Sequence, residues 1–273
     1  MPGSAFFAAC ISTILLVTLS SGCGNAVKRM EQQAQTAGFR QLILTGDGFL
    51  HASYTNDANS GSSRLHVYIE GDGMPWLTRT RIATEPTSRH ALILKLMMMD
   101  PEAALYLGRP CYNGMVDDRG CNPLVWTYQR YSQVVVDSMA SALASYIKQG
   151  PERELVFIGH SGGGTLAMLL AARFTNTRAV VTIAGNLDTE TWSDYHDYDP
   201  LSGSINPAES NALGSHIRQI HYTGTEDRNI RPEFIEPVIS RQENASLTII
   251  PGFDHQCCWQ SIWPDVLRQI NTL

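Results

Sequence analysis

The 273-residue chain lacks a basic stripe: 20 Lys and Arg stand against 26 Asp and Glu, a formal net charge of −6. That balance removes the electrostatic footprint of a nucleic-acid binder, so nucleic acid is not an expected partner. Charge is sparse, at 17% of residues against 43% hydrophobic, which excludes a disordered or polar-linker protein. Internal repeats and low-complexity tracts are missing. No cysteines have C-x-x-C spacing, and the glycines after Ser161 lead to Thr165 with no lysine, so neither a zinc site nor a phosphate-binding loop is expected. No metal and no other cofactor is implied. The greasiest run, Ile11 to Leu19, is too short to cross a bilayer as a mature helix. What remains is a chain long enough for one large α/β domain or two small ones, with a real core.

That greasy run is informative. From Met1 to Val27 there is no charged side chain, and the apolar stretch has the length of a signal-peptide core. It meets Ser20-Ser21-Gly22 and then Cys23. This ending resembles the cleavage box of bacterial lipoproteins. The resemblance implies a signal peptide over 1–22 and lipidation at Cys23. An N-terminal tether over 23–40 follows, whose polar stretch Asn25 to Gly38 is also open to a first helix. The protein is then exported, either to the bacterial cell envelope as a periplasm-facing, lipid-anchored membrane protein or as a secreted one. Two or more acyl chains give a stable membrane anchor where one is marginal.

Cysteine usage agrees with export. Removing Cys10 and lipidating Cys23 leaves four, an even number suited to an oxidising compartment. Cys111 and Cys121 bracket a short loop that a disulfide can close. Cys257 and Cys258 are adjacent, and either form a strained vicinal bridge or stay as free buried thiols.

Along the chain, strand-like pieces fall at 41–45, 49–54 and 64–70, and helical spacing of Leu and Met at 88–99. A short strand is expected at 103–107, and the clearest helix runs over 130–149 to Gly150-Pro151. Strands at 154–158, 178–184, 217–222 and 246–250 then alternate with helices at 165–174, near 234–241 and from about 257. That alternation predicts a mostly parallel sheet covered on both faces.

The sharpest signal is Gly159-His160-Ser161-Gly162-Gly163, a G-x-S-x-G between a buried strand and a helix. A turn that tight strains the nucleophile's backbone, and small neighbours keep the space clear. A serine hydroxyl needs an adjacent base, and the base an orienting acid. Candidates follow the last two strands: Glu226 and Asp227 after 217–222, then Asp254 and His255 after 246–250. Trp126, Arg130 and Tyr131 precede the long helix; they either pack, the expected role, or stand near the entrance of the site.

From about Arg64 to the C-terminus, G-H-S-G-G, G-T-E-D-R-N-I-R-P and G-F-D-H resemble the α/β-hydrolase family of serine esterases and lipases. The resemblance implies a mostly parallel central sheet with helices on both faces, over 41–273, with a cap or lid over 186–215. It implies Ser161 as nucleophile, His255 as general base and then acid, and Asp227 as the orienting carboxylate. The oxyanion donors would be the backbone N–H groups of Gly162 and of Asp72, within Glu70-Gly71-Asp72-Gly73, with the Asp72 carboxylate facing outward or bonding locally. Trp192, Tyr195 and Tyr198 would line the substrate pocket, while the dense Asp and His of that segment read as a solvated face.

The implied activity is hydrolysis of a carboxylic ester or related acyl bond in a small-molecule acyl substrate through an acyl-enzyme. Acyl transfer, thioester hydrolysis and peptide hydrolysis remain open on the same scaffold, as does a non-catalytic envelope lipoprotein that binds. Oligomeric state is not legible.

Overall fold

The computed structural model describes residues 24–56 and 61–273. The expected signal peptide and the lipidation at Cys23 lie outside those residues. Eight strands form one sheet: β1 (Arg40–Thr45), β2 (Leu50–Thr55), β3 (Arg64–Ile69), β6 (Ala104–Tyr106), β7 (Glu154–His160), β8 (Thr177–Ile183), β9 (Arg218–Gly224) and β10 (Ala245–Ile250). Their spatial order is β1-β2-β6-β3-β7-β8-β9-β10. Only β2 runs antiparallel to the rest; the edge strand β1 pairs antiparallel with β2 and so points the same way as the others, and from β6 to β10 every pairing is parallel. A separate hairpin joins β4 (Trp76–Thr78) to β5 (Arg81–Ile82).

Central strands read as continuous apolar runs because both faces are covered. In β7, Leu155, Val156, Phe157 and Ile158 are all fully buried. Leu155 and Phe157 face a core shared with α4 (Gln133–Ile147), α5 (Gly162–Ala171) and α7 (Pro232–Ile239). Val156 and Ile158 face a second core with α1 (Gly24–Thr36), α2 (Leu92–Met97) and α8 (Trp263–Asn271). Period-2 alternation in one strand thus supplies both layers.

Helix α4 starts where Ser132 Oγ accepts the Val135 N–H, and its Val135, Val136, Met139, Ala142 and Leu143 form the buried stripe. Two short helices complete the fold, α3 (Pro123–Trp126) and α6 (Thr189–Tyr195).

Of the two readings left open for the segment after Cys23, tether or first helix, the structure shows a docked helix. Ala26, Met30 and Ala34 repeat every four residues along α1 and are buried, Met30 and Ala34 within the second core. The helix expected over 88–99 shortens to Leu92–Met97. Ala91 holds a left-handed backbone, φ 43°, which ends regular helix on its N-terminal side. Cys111 and Cys121 are disulfide-bonded. Cys257 and Cys258 are bonded to each other and exposed, not free and buried.

Candidate active site

The parallel strands end on one edge, and four loops there carry the predicted residues. Ser161 follows β7 directly and precedes α5, with φ 53° and ψ −123°. A non-glycine residue at that φ is strained, and the surroundings hold it. Its N–H donates to the Ile183 carbonyl at 3.0 Å, and its carbonyl accepts from Gly164 and Asn186 at 2.9 and 3.0 Å. Glycine is required around it by close approach. A β-carbon at Gly159 would overlap the Gly163 carbonyl, and one at Gly163 would overlap the Ile69 carbonyl.

His255 sits in the loop after β10. Its Nδ1 is 2.9 Å from Asp227 Oδ2, and its Nε2 is 3.1 Å from Ser161 Oγ. A carboxylate accepts only, so Nδ1 carries the proton and Nε2 presents its lone pair to the serine hydroxyl. Asp227, after β9, is 3% exposed. Its other oxygen accepts the N–H groups of Asn229 (2.9 Å) and Ile230 (2.8 Å), so the carboxylate is fixed before it meets the imidazole. Of the three acids left open by the sequence, only Asp227 reaches the base. Glu226 is exposed, and the Asp254 carboxylate turns to the N–H groups of Gln256 and Cys257.

Ser161 and His255 open onto a cavity of about 700 Å³. Its walls mix aromatic and aliphatic groups (Trp76, Tyr128, Trp192, Tyr198, Leu201 and Ile230) with Arg79, Arg89, Asp197 and Asp199. A concave space that combines apolar walls with many polar and charged groups beside the Ser161–His255 pair is a candidate small-molecule pocket.

A family description for lipase (class 3) matches residues 97–186, about a third of the chain. No curated protein matches the sequence. Among solved structures, an esterase from Pyrococcus furiosus aligns with a TM-score of 0.61 at 12% identity, covering 87% of this chain and 91% of that one. A serine hydrolase without lid from Xanthomonas campestris aligns at 0.55 and 11% identity, covering 85% and 94%. A membrane phospholipase A aligns at 0.56 and 14%, covering 91% and 90%. The chain has the α/β-hydrolase fold. The lipase-like match runs from the end of α2 through β6 and the nucleophile turn, and stops before Asp227 and His255.

Within this α/β-hydrolase fold the Asp72 carboxylate, expected to face outward or to bond locally, is bonded, to side chains distant in sequence. It is turned in against Arg109, Arg130 and Tyr131, at 2.7, 2.9 and 2.6 Å. Burial alone would raise this carboxyl, but Arg130 and Arg109 outweigh burial and hold it well below the usual range. Gly162 opens α5 beside it, and a β-carbon there would overlap the Asp72 carboxylate and the Tyr131 hydroxyl. Arg130 and Tyr131, for which the sequence left a place near the entrance open beside packing, therefore belong to the site.

Two buried groups lie next to the triad-like set. His160 donates from Nε2 to the His255 carbonyl at 2.8 Å; burial, and then His255, push its pKa down to about 3. Glu70 is pushed up to about 7 by burial, opposed by the N–H groups of Gly71 and Ile93.

Sequence reading missed Asn229. Its Nδ2 lies 3.1 Å from His255 Nε2, and its Oδ1 accepts the Trp192 indole N–H at 3.1 Å. Indole only donates, so this bond fixes which end of the amide faces the histidine. Trp192 and Tyr198 line the cavity. Tyr195 does not: it stands half exposed, packed on Phe234 and bonded to Arg231. His196, expected in a solvated face, donates from Nε2 to the Asn229 carbonyl at 2.9 Å.

A second serine–histidine pair, Ser138 and His51, is buried in the core at 2.9 Å. The other His51 nitrogen donates to the Gly108 carbonyl rather than to a carboxylate, and the cavity at Ser161 does not reach it. It is a packing feature.

Proposed function

We propose that this chain is a serine hydrolase that cleaves a carboxylic ester through an acyl-enzyme. The observation that carries the reading is the Asp227–His255–Ser161 hydrogen-bond chain, with Ser161 and His255 lining the cavity. Ser161 Oγ attacks the acyl carbonyl as His255 Nε2 takes its proton. The carbonyl oxygen becomes an oxyanion facing the N–H groups of Gly162 and Asp72. The protonated His255 gives its proton to the departing alkoxide, leaving Ser161 acylated. A water then loses a proton to His255 and attacks the acyl carbon, and Ser161 leaves as alkoxide, takes that proton back and frees the acid. Asp227 keeps the imidazole oriented and stabilises its cationic form throughout.

An ester is favoured over an amide because its leaving group asks less of the general acid. Helix α6 and the segment 186–215 act as the cap, with Trp192 and Tyr198 as pocket wall. A fluorophosphonate probe on purified protein tests the reading. Labelling of wild type and loss of labelling in Ser161→Ala are expected; folded wild type that never labels refutes catalysis and favours a binding protein.

The same proposal includes export and lipidation at Cys23. The mass of the mature N-terminus checks it: an acylated Cys23 is expected, and an unmodified peptide starting at or near Gly24 rules it out.

A further inference from the structure

Beneath the nucleophile, two guanidinium groups converge on one carboxylate. Arg109 Nη1 donates to Asp72 Oδ1 and Arg130 Nη1 to Oδ2, at 2.7 and 2.9 Å, with the two arginine side chains 3% and 5% exposed. The Tyr131 hydroxyl adds a third bond, to Oδ2 at 2.6 Å. The Tyr112 hydroxyl donates to the Asp72 carbonyl at 3.0 Å, so the residue is held at its main chain too. The arginines are themselves braced: Arg109 Nη2 donates to the Arg130 carbonyl, and Arg130 Nε to the Thr127 carbonyl.

A buried charge cluster is a poor source of stability, because desolvation cancels most of the attraction. Apolar packing would hold a loop at least as cheaply. What this cluster supplies is geometry and sign. Two cations against one anion leave one positive charge uncompensated, and the Asp72 carboxylate abuts Gly162 at the start of α5.

We propose that Arg109, Arg130 and Tyr131 are positioning residues that lock the Asp72 main chain as an oxyanion donor opposite Gly162 and set a positive charge behind it. The proposal rests on the serine-hydrolase reading. Negative charge develops on the carbonyl oxygen only as the transition state forms, so the effect falls on kcat and not on substrate binding. The arginines act through Asp72 and touch no reacting atom.

The test uses the mature protein and a p-nitrophenyl ester. Arg130→Met is expected to lower kcat about 10- to 100-fold with KM within about two-fold, as for weakening one oxyanion donor. Affinity for a phenylboronic acid, which mimics the tetrahedral state, should weaken by the same factor as kcat/KM. Arg130→Lys, which keeps the charge and one donor, should recover part of both losses. An Arg130→Met protein that folds and keeps kcat within two-fold, or loses its activity through KM, overturns the proposal. If Arg130→Met does not fold, Tyr131→Phe decides: it removes one bond to Asp72 at nearly constant shape. A loss of kcat of about five-fold at constant KM supports the proposal, and an unchanged kcat overturns it. Failure of wild-type Ser161 to take a fluorophosphonate would instead overturn the reading underneath, whatever the arginine variants do.

Discussion

At the residue scale, Asn229 joins three parts of the site through four hydrogen bonds. Its N–H goes to Asp227, its carbonyl accepts from His196, its amide oxygen accepts from Trp192, and its amide nitrogen reaches His255. Helix α6 is thereby wired to His255. The Asn229 amide shares the one Nε2 lone pair with Ser161, so its worth lies in positioning the ring. Asn229→Ala is expected to lower kcat about five-fold through lost positioning of His255. Trp192→Phe removes the donor that orients the amide and should cost a similar factor. Because both act on one contact, the double variant should be little worse than the poorer single variant. Losses that multiply in the kinetics of all three proteins would refute the coupling. Ser161, Asp227 and His255 were legible because strand ends and turn signals put each at the same sheet edge. Asn229 was not, because its role exists only through Trp192, 37 residues away in sequence. Arg109, Arg130 and Tyr131 were hidden in the same way: they meet Asp72 from 37, 58 and 59 residues further along the chain.

At the scale of elements, the long apolar strands and the amphipathic α4 declared themselves by periodicity, to within three residues at each end. Shorter pieces did not. The β4–β5 hairpin has no apolar alternation, and α6 spans only seven residues, five of them polar or charged. Both are fixed by contacts with the rest of the molecule, as when the Arg79 guanidinium, beside that hairpin, donates to the His196 carbonyl at the end of α6. Helix α1 also reads as a polar tether because only one narrow stripe of it is apolar. The loop closed by Cys111–Cys121 was readable from spacing, and its place in the fold gives it weight. Cys111 is fully buried, and the next residue, Tyr112, holds the Asp72 carbonyl. Closing a loop of 10 residues' separation contributes about 3 kcal/mol in the chain-entropy picture. The double variant Cys111→Ala/Cys121→Ala should lose about that much in urea unfolding at neutral pH. A loss under about 0.5 kcal/mol would mean that packing alone orders the loop.

The whole molecule carries an acid lability written in its buried histidines. His51, His160 and His221 are pushed down from 6.5 to about 4, 3 and 3, each chiefly by burial, so the native protein holds them neutral. Unfolding restores an ordinary imidazole, which takes up a proton below about pH 6.5. Glu70 acts in the opposite sense. Burial lifts it from 4.5 to about 7, so between those values the native state holds a proton that the unfolded chain has released. From pH 4.5 to 6.5 the unfolded chain therefore binds three protons that the native state lacks and lacks one that it holds, a net of two. Stability rises with pH wherever the unfolded state binds more protons, here by about 3 kcal/mol per pH unit. Asp72, held well below its usual range, keeps its stabilising charge across this window and gives it up only at lower pH. Urea titrations should show the midpoint falling steeply from pH 6.5 to 5.5. In Glu70→Gln the opposing proton is gone, so the slope should steepen to about 4 kcal/mol per unit. A midpoint that stays level over that range in the wild type would mean the three imidazoles gain their protons without unfolding, which their burial among core side chains argues against.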